Sequence, residues 1–307
     1  MAPFVHGPYL YVGGSTISMY RLGSAKPLRS VSSACYTHVF ALDSTGNLYA
    51  GNGNISWGTL SVYNARTLAL RDTFGGMDNS SSLAVDANDY LYDANCSPAI
   101  VVFAPGGGRI AGEIRRGAFS VCSLGFDGSG NLYAANSSRR SISVYAPTSQ
   151  PGKLKFERRI TDGVHHPKQL FVEPSGRLFV ANGDSVSVYA PGRSHPERVI
   201  ENGIKRATAI AVDSKARIYV ASSPFTNRRG FEPGWVSVYA PGQSDPLRKI
   251  TRGVDVPSSL AVDPNDNLYV ADSYGHAVTV YSPGGRTLMY SIKRGVGFPF
   301  AVFIGSR

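Results

Sequence analysis

Apolar residues along this chain come in short runs, and each run is stopped by a cluster of Gly, Pro, Asn or Asp. The stretch from Leu260 to Gly284 shows the unit. Leu260-Ala261-Val262 is an apolar run, and Pro264-Asn265-Asp266-Asn267 is a turn cluster. Leu268-Tyr269-Val270-Ala271 is a second run, and Val278-Thr279-Val280-Tyr281 alternates before Ser282-Pro283-Gly284 stops it. A fourth run covers Leu288 to Lys293. β-Branched and aromatic residues between such turn signals predict four short strands, and no helical period persists anywhere.

The unit recurs. The acidic residue that closes its first strand falls at Asp43, Asp86, Asp127, Glu173, Asp213 and Asp263, with spacings of 43, 41, 46, 40 and 50 residues. The second strand reads Leu-Tyr, Leu-Phe or Ile-Tyr each time, from Leu48-Tyr49 to Leu268-Tyr269. The third ends at Tyr63, Phe103, Tyr145, Tyr189, Tyr239 and Tyr281. Six repeats are complete, and the two ends share a seventh. Leu10-Tyr11-Val12, Ile17 to Tyr20 and Leu28 to Val31 supply its second, third and fourth strands. Its first strand is expected at the other terminus, with Phe300-Ala301-Val302-Phe303 aligned on Leu260 to Asp263. A repeat divided between the termini has a physical purpose only if the array closes into a ring. The expectation is an all-β, single-domain, seven-bladed β-propeller over 1–307. Its composite blade comes from 298–307 and 1–31.

LAVDPNDNLYVAD followed by VSVYAPG resembles the NHL-type repeats of bacterial propellers, over nearly the whole chain. That broad group includes binding scaffolds, lactonase-like hydrolases and a streptogramin-type lyase, so the resemblance implies a fold and leaves the activity open.

Composition adds three points. The net charge of +10 sits largely on the fourth strand of each repeat, at Arg115-Arg116, Arg158-Arg159, Arg198, Arg248-Lys249 and Lys293-Arg294. Cations on an exposed strand edge oppose sheet-to-sheet association, so no specific nucleic-acid partner is expected. No apolar run reaches the ~20 residues that span a bilayer. Met1 to Tyr11 lacks the charged start and long apolar core of a leader, while the resemblance implies an extracytoplasmic or secreted protein, with a cytoplasmic one as the alternative. A monomer is expected.

In an up-and-down blade the loops between second and third strands share one end with the crossings between blades. Nine of the eleven Cys, His and Trp residues map to that end. They predict a pocket there, over the central channel. Cys122 with His165 and His166, on adjacent blades, forms the candidate nucleophile and base, with His38 nearby and Asp78 and Asp255 as orienting carboxylates. Cys96 and Cys122, on the same face, are candidates for a disulfide. The long insertion SSPFTNRRGFEPGW offers Phe225, Arg228, Arg229, Phe231 and Trp235 as substrate contacts, with Trp57 and His276 beside them. Asn52, Asn95, Asn136, Asn182 and Asp272 share one repeat position, where Asx side chains satisfy local backbone. Gluconolactonase-like propellers bind calcium near this location, so the resemblance makes Asn136, Asn182 and Asp272 candidate ligands, although no inner Glu completes the set. The expected function is a small-molecule hydrolase or lyase of the ester, lactone or phosphoester class. The alternative is a non-catalytic extracytoplasmic scaffold that binds a glycan, peptide or protein through the same face.

Overall fold

The computed structural model describes residues 8–33, 36–53, 58–77, 79–224 and 232–305. Seven four-stranded antiparallel sheets form a ring. Their inner strands are Tyr36–Leu42, Ser82–Val85, Val121–Phe126, Gln169–Val172, Ala207–Val212, Pro257–Val262 and Ala301–Gly305, in blades 1 to 7. Each inner strand packs against the inner strand of the next blade, and the last packs against the first. The core is therefore a set of apolar layers between blades. Among the described residues no helix is long and apolar enough to cross a membrane.

The recurrent acidic residue and tyrosine explain each other. Asp43 Oδ1 accepts the backbone N–H groups of Thr45 and Asn47, both at 2.9 Å, and so shapes the turn between the first two strands. Its Oδ2 accepts the Tyr49 hydroxyl at 2.8 Å. The same pairing joins Asp86 to Tyr92, Asp127 to Tyr133, Asp213 to Tyr219 and Asp263 to Tyr269. Burial pushes the Asp43 carboxyl up, but the hydrogen bonds outweigh it and leave the group below the ordinary carboxylate range. Blade 4 departs at both positions at once, with Glu173 for Asp and Phe179 for Tyr, so the missing hydroxyl matches the displaced carboxylate.

Motifs on the third strand tie blades 3, 4 and 5 to the crossings that lead into them. Ser143, Ser187 and Ser237 donate to the carbonyls of Gly117, Gly163 and Gly203 in the preceding crossings at 2.6–2.7 Å. Tyr145, Tyr189 and Tyr239, two residues on, donate to the carbonyl just before each glycine. Those glycines hold φ between 68° and 83°, where a Cβ would be strained.

The ring closes as expected, with one change of register. The inner strand of the composite blade pairs with Tyr9–Gly13, Val302 opposite Val12 and Ile304 opposite Leu10. In blade 6 the corresponding pairs are Leu260 with Val270 and Val262 with Leu268. Val302 therefore takes the place of Leu260, and Gly305 that of Asp263, two residues later than the sequence alignment of Phe300–Phe303. A shift of two leaves every side chain on its original face, so the apolar pattern could not tell the registers apart.

Candidate functional site

The inner strands start at one mouth of the central channel, the end that carries the variable crossings. Counting back from the acidic residue, the fifth position in blades 1 to 7 is His38, Ser81, Cys122, Lys168, Thr208, Ser258 and Phe300. All seven line a cavity of about 310 Å³. In blades 1, 3, 5 and 6 this residue is the extra one of a β-bulge, since the pairing slips between its two neighbours. A bulge re-aims a side chain that regular pairing would have directed elsewhere.

Four ring members have a shared structural task. Ser81 Oγ donates to Ala94 O at 2.8 Å and Val121 O at 3.1 Å, one carbonyl on its own blade and one on the next. Thr208 bonds Ala221 O and Pro257 O in the same way, and Ser258 bonds Ala271 O and Pro299 O. Cys122 Sγ sits in that pattern, 3.4 Å from Ala135 O and 3.1 Å from Pro167 O. Burial first, then the neighbouring Cys96 thiol, push the Cys122 thiol up to about 12 against the pull of Lys168. It is a protonated donor at neutral pH. Cys122→Ser installs the hydroxyl that blades 2 and 6 already use. The thermal midpoint should stay within about 2 °C of the parent, with any activity retained; a loss of turnover at unchanged midpoint would restore the thiol as a nucleophile.

One residue further along, the side chains form a belt. Ser82 Oγ accepts the backbone N–H of Leu124, Ser123 that of Leu170, Gln169 that of Ile210 and Ser259 that of Val302, at 2.6–3.3 Å. Each is an acceptor on one blade for the inward N–H of the next. Val39, Ala209 and Ala301 occupy the other three belt positions and have no acceptor atom. The inward N–H groups of Leu83, Leu260 and Phe40 therefore face the channel with no side-chain acceptor among the described residues. Two of them, on Phe40 and Leu83, lie on the blades at and beside His38.

His38 stands on the same sector. Its ring lies 4.9 Å from that of Phe300, and burial of its packed side pulls its pKa below the ordinary 6.5 against a hydrogen bond with the Gly53 backbone. The imidazole is neutral at pH 7. Neither its place in the bulge nor the uncovered N–H groups left a trace in the local sequence pattern. The signal that would have found them is the column of seven residues read across the repeats.

The other expected site residues are distributed differently. His165 and His166 are exposed and do not line the cavity. The His165 backbone N–H donates to Asn182 Oδ1 at 2.9 Å, and His166 has a left-handed backbone, as do Ser120, Arg206 and Phe298 at the same repeat position. Asp255 is on the crossing into blade 6, and its N–H donates to Asp272. His276 lies on the rim, its ring 4.3 Å from Phe298. Trp235 lies away from the channel, donating Nε1–H to Gly203 O at 2.9 Å under the Lys249 ammonium. Cys96 and Cys122 are free thiols, not a disulfide. Asn136, Asn182 and Asp272 are buried with their oxygens held by backbone N–H groups, chiefly those of the crossing into the blade 16–17 residues earlier rather than of a local turn, so they offer a cation no open cluster. Trp57, Asp78, Phe225, Arg228, Arg229 and Phe231 lie outside the described residues.

Comparison with known proteins places one repeat by name. Residues 255–281 match the NHL repeat. That NHL repeat covers the crossing into blade 6 and its first three strands. No curated protein matches the chain. Among solved structures, a Bacteroides fragilis protein provisionally named a 6-phosphogluconolactonase superposes with a TM-score of 0.80 at 14% identity, covering 100% of both chains. The Pseudomonas aeruginosa periplasmic gluconolactonase superposes with a TM-score of 0.76 at 15% identity, covering 97% of this chain and 99% of its own. The RRP9 WD40 repeats superpose at 0.69 and 12% identity, covering 84% and 80%. At these identities the likeness is one of fold.

Proposed function

We propose that the channel mouth hydrolyses a small ester, a lactone in the first instance, with His38 as general base and the backbone N–H groups of Phe40 and Leu83 as donors to the developing oxyanion. The observation that carries this reading is the gap in the acceptor belt beside His38, left by Ala301 and Val39. His38 takes a proton from water as the water oxygen adds to the ester carbonyl, and the negative charge formed on the carbonyl oxygen faces the two N–H groups. The carbon–oxygen bond of the ester then breaks. The departing oxygen takes the proton back from the imidazolium, and a hydroxy acid leaves. The lactonase names of two fold relatives support the choice of substrate, and the periplasmic one supports an extracytoplasmic site of action.

Lactone hydrolysis followed by pH-stat tests this reading. Activity should rise with pH along a limb whose midpoint lies below 6.5, because the base is the deprotonated imidazole and its pKa is depressed. His38→Ala should remove that limb and most of the rate. Ala301→Ser and Val39→Ser should each cover one N–H, as Ser259 and Ser82 do in their blades, and lower kcat by roughly 10- to 100-fold. Full turnover in both serine variants would overturn the assignment of the donors.

A non-catalytic scaffold is the second reading. The commitment of Cys122, Ser81, Thr208 and Ser258 to carbonyl oxygens favours it, since these side chains are then structural. Ligand binding in the cavity without turnover of any ester, lactone or phosphoester would decide for it.

A further inference from the structure

The mouth of the channel has two chemically opposed sides. Lys168 contributes the ammonium of the seven-membered ring and belongs to blade 4. In a ring of seven, blade 4 is three blades from blade 7 in one direction and three from blade 1 in the other. Those two blades carry Phe300 and His38, so the cation faces an aromatic pair across the cavity.

The aromatic side continues outward. Tyr36 meets Phe300 edge to face at 5.5 Å and Phe298 at 6.5 Å, and His276 meets Phe298 at 4.3 Å. His38, Phe300, Tyr36, Phe298 and His276 thus form an unbroken row of rings from the cavity to the rim. Tyr36 is 42% exposed and Phe298 46%, although both are large apolar side chains. Phe298 holds φ at 44°, the left-handed conformation that Ser120, His166 and Arg206 adopt at the same repeat position, so the repeat's own backbone sets its place on the rim. Large aromatic surface left open beside a cavity, with a cation on the far wall, is the arrangement of a specific small-molecule site.

We infer that the channel mouth selects amphipathic anions, molecules with a carboxylate or phosphate for Lys168 and a planar apolar ring, of aryl size, for the Phe300–Tyr36–Phe298 row. This rests on the cavity being the ligand site named above, and it narrows the substrate from any small ester to an aryl-bearing anionic one. Charge complementarity argues for one small molecule that spans the mouth, and the ~310 Å³ cavity lies within the range of such sites. A ring on the aromatic row gains stacking and burial, while the anion gains an ammonium at the mouth of the cavity.

Calorimetric titration with 2-naphthyl phosphate, glucose 6-phosphate and inorganic phosphate tests the inference without requiring turnover. The naphthyl ester should bind at least tenfold more tightly than either of the others. Lys168→Ala should weaken it by about tenfold or more and Lys168→Arg should restore much of the loss. Phe300→Leu and Phe298→Ala should each weaken the naphthyl ester and leave the binding of inorganic phosphate unchanged; Phe298, being exposed, is the variant expected to keep the parent's thermal midpoint. Equal affinity for naphthyl and inorganic phosphate, or naphthyl binding that survives Lys168→Ala intact, would overturn it. Because binding is the readout, an inactive protein that meets these expectations leaves the inference standing while the hydrolase assignment falls.

Discussion

Removal of residues 298–307 should abolish the cooperative unfolding transition of the whole domain. The segment supplies the inner strand of the composite blade, which pairs along its length with Tyr9–Gly13. It also packs against the inner strands of blades 6 and 1, so its loss opens two of the seven blade interfaces. Ala301 and Val302 are buried in separate apolar layers, one with Tyr11 and Phe40 and the other with Leu10 and Tyr269. Stripping both layers and leaving the Tyr9–Gly13 backbone unpaired costs more than the roughly 5–15 kcal/mol that stabilises an ordinary domain. Far-UV circular dichroism against temperature is the measurement. A truncated chain with the parent's sharp transition and midpoint would show that the ring does not depend on this seam.

Asp93→Val should raise stability by about 1–3 kcal/mol at pH 8. Asp93 is fully buried on the second strand of blade 2, where the other blades carry Val12, Ala50, Ala134, Val180, Val220 and Val270. Its Oδ2 accepts the Ser80 hydroxyl at 3.1 Å, and Oδ1 has no hydrogen-bond partner among the described residues. Burial pushes the carboxyl up to about 7 from 3.8, with Ser80 pulling weakly the other way. The folded state thus binds a proton that the unfolded state has released, so the stability this group allows is fully present below pH 3.8 and is lost as the pH rises through about 7. His38 acts in the opposite sense: its depressed pKa costs stability as the pH falls below 6.5. The two are separated by the difference between parent and variant, since His38 is common to both. That difference should be small at pH 4 and largest at pH 8. A valine variant less stable than the parent at pH 8 would mean that Asp93 has a partner worth more than its desolvation.

The repeated Asp and Tyr at the end of the first strand and the start of the second announced both the blade and its turn, because one carboxylate satisfies the turn and the tyrosine together. The Asx column after the second strand was legible as a repeat position, but its partners were not, since Asn136 and Asn182 accept the backbone N–H groups of Phe119 and His165 on the crossing into each blade, 17 residues earlier. The register of the closing strand was not. Pairing between Tyr9–Gly13 and Ala301–Gly305, at opposite ends of the chain, is set by tertiary packing, and the period of two makes neighbouring even shifts equivalent in pattern.

The candidate site divides in a similar way. Sequence put Cys122 and His38 at the same mouth of the channel, and both line the cavity there. It paired Cys122 with His165 and His166 because their repeat positions fall on adjacent blades, whereas folding aims Cys122 at two carbonyl oxygens and leaves both histidines exposed. Chemistry at the mouth depends on which of seven distant residues stand beside one another, on bulges that turn them inward, and on which inward N–H groups lack an acceptor. By itself the chain determined the blade, the number of blades and their closure, because each rests on a local period repeated along the sequence. Only the tertiary structure decided that His38 and Phe300 face Lys168 across the channel, because that relation exists between blades and is written in no one of them.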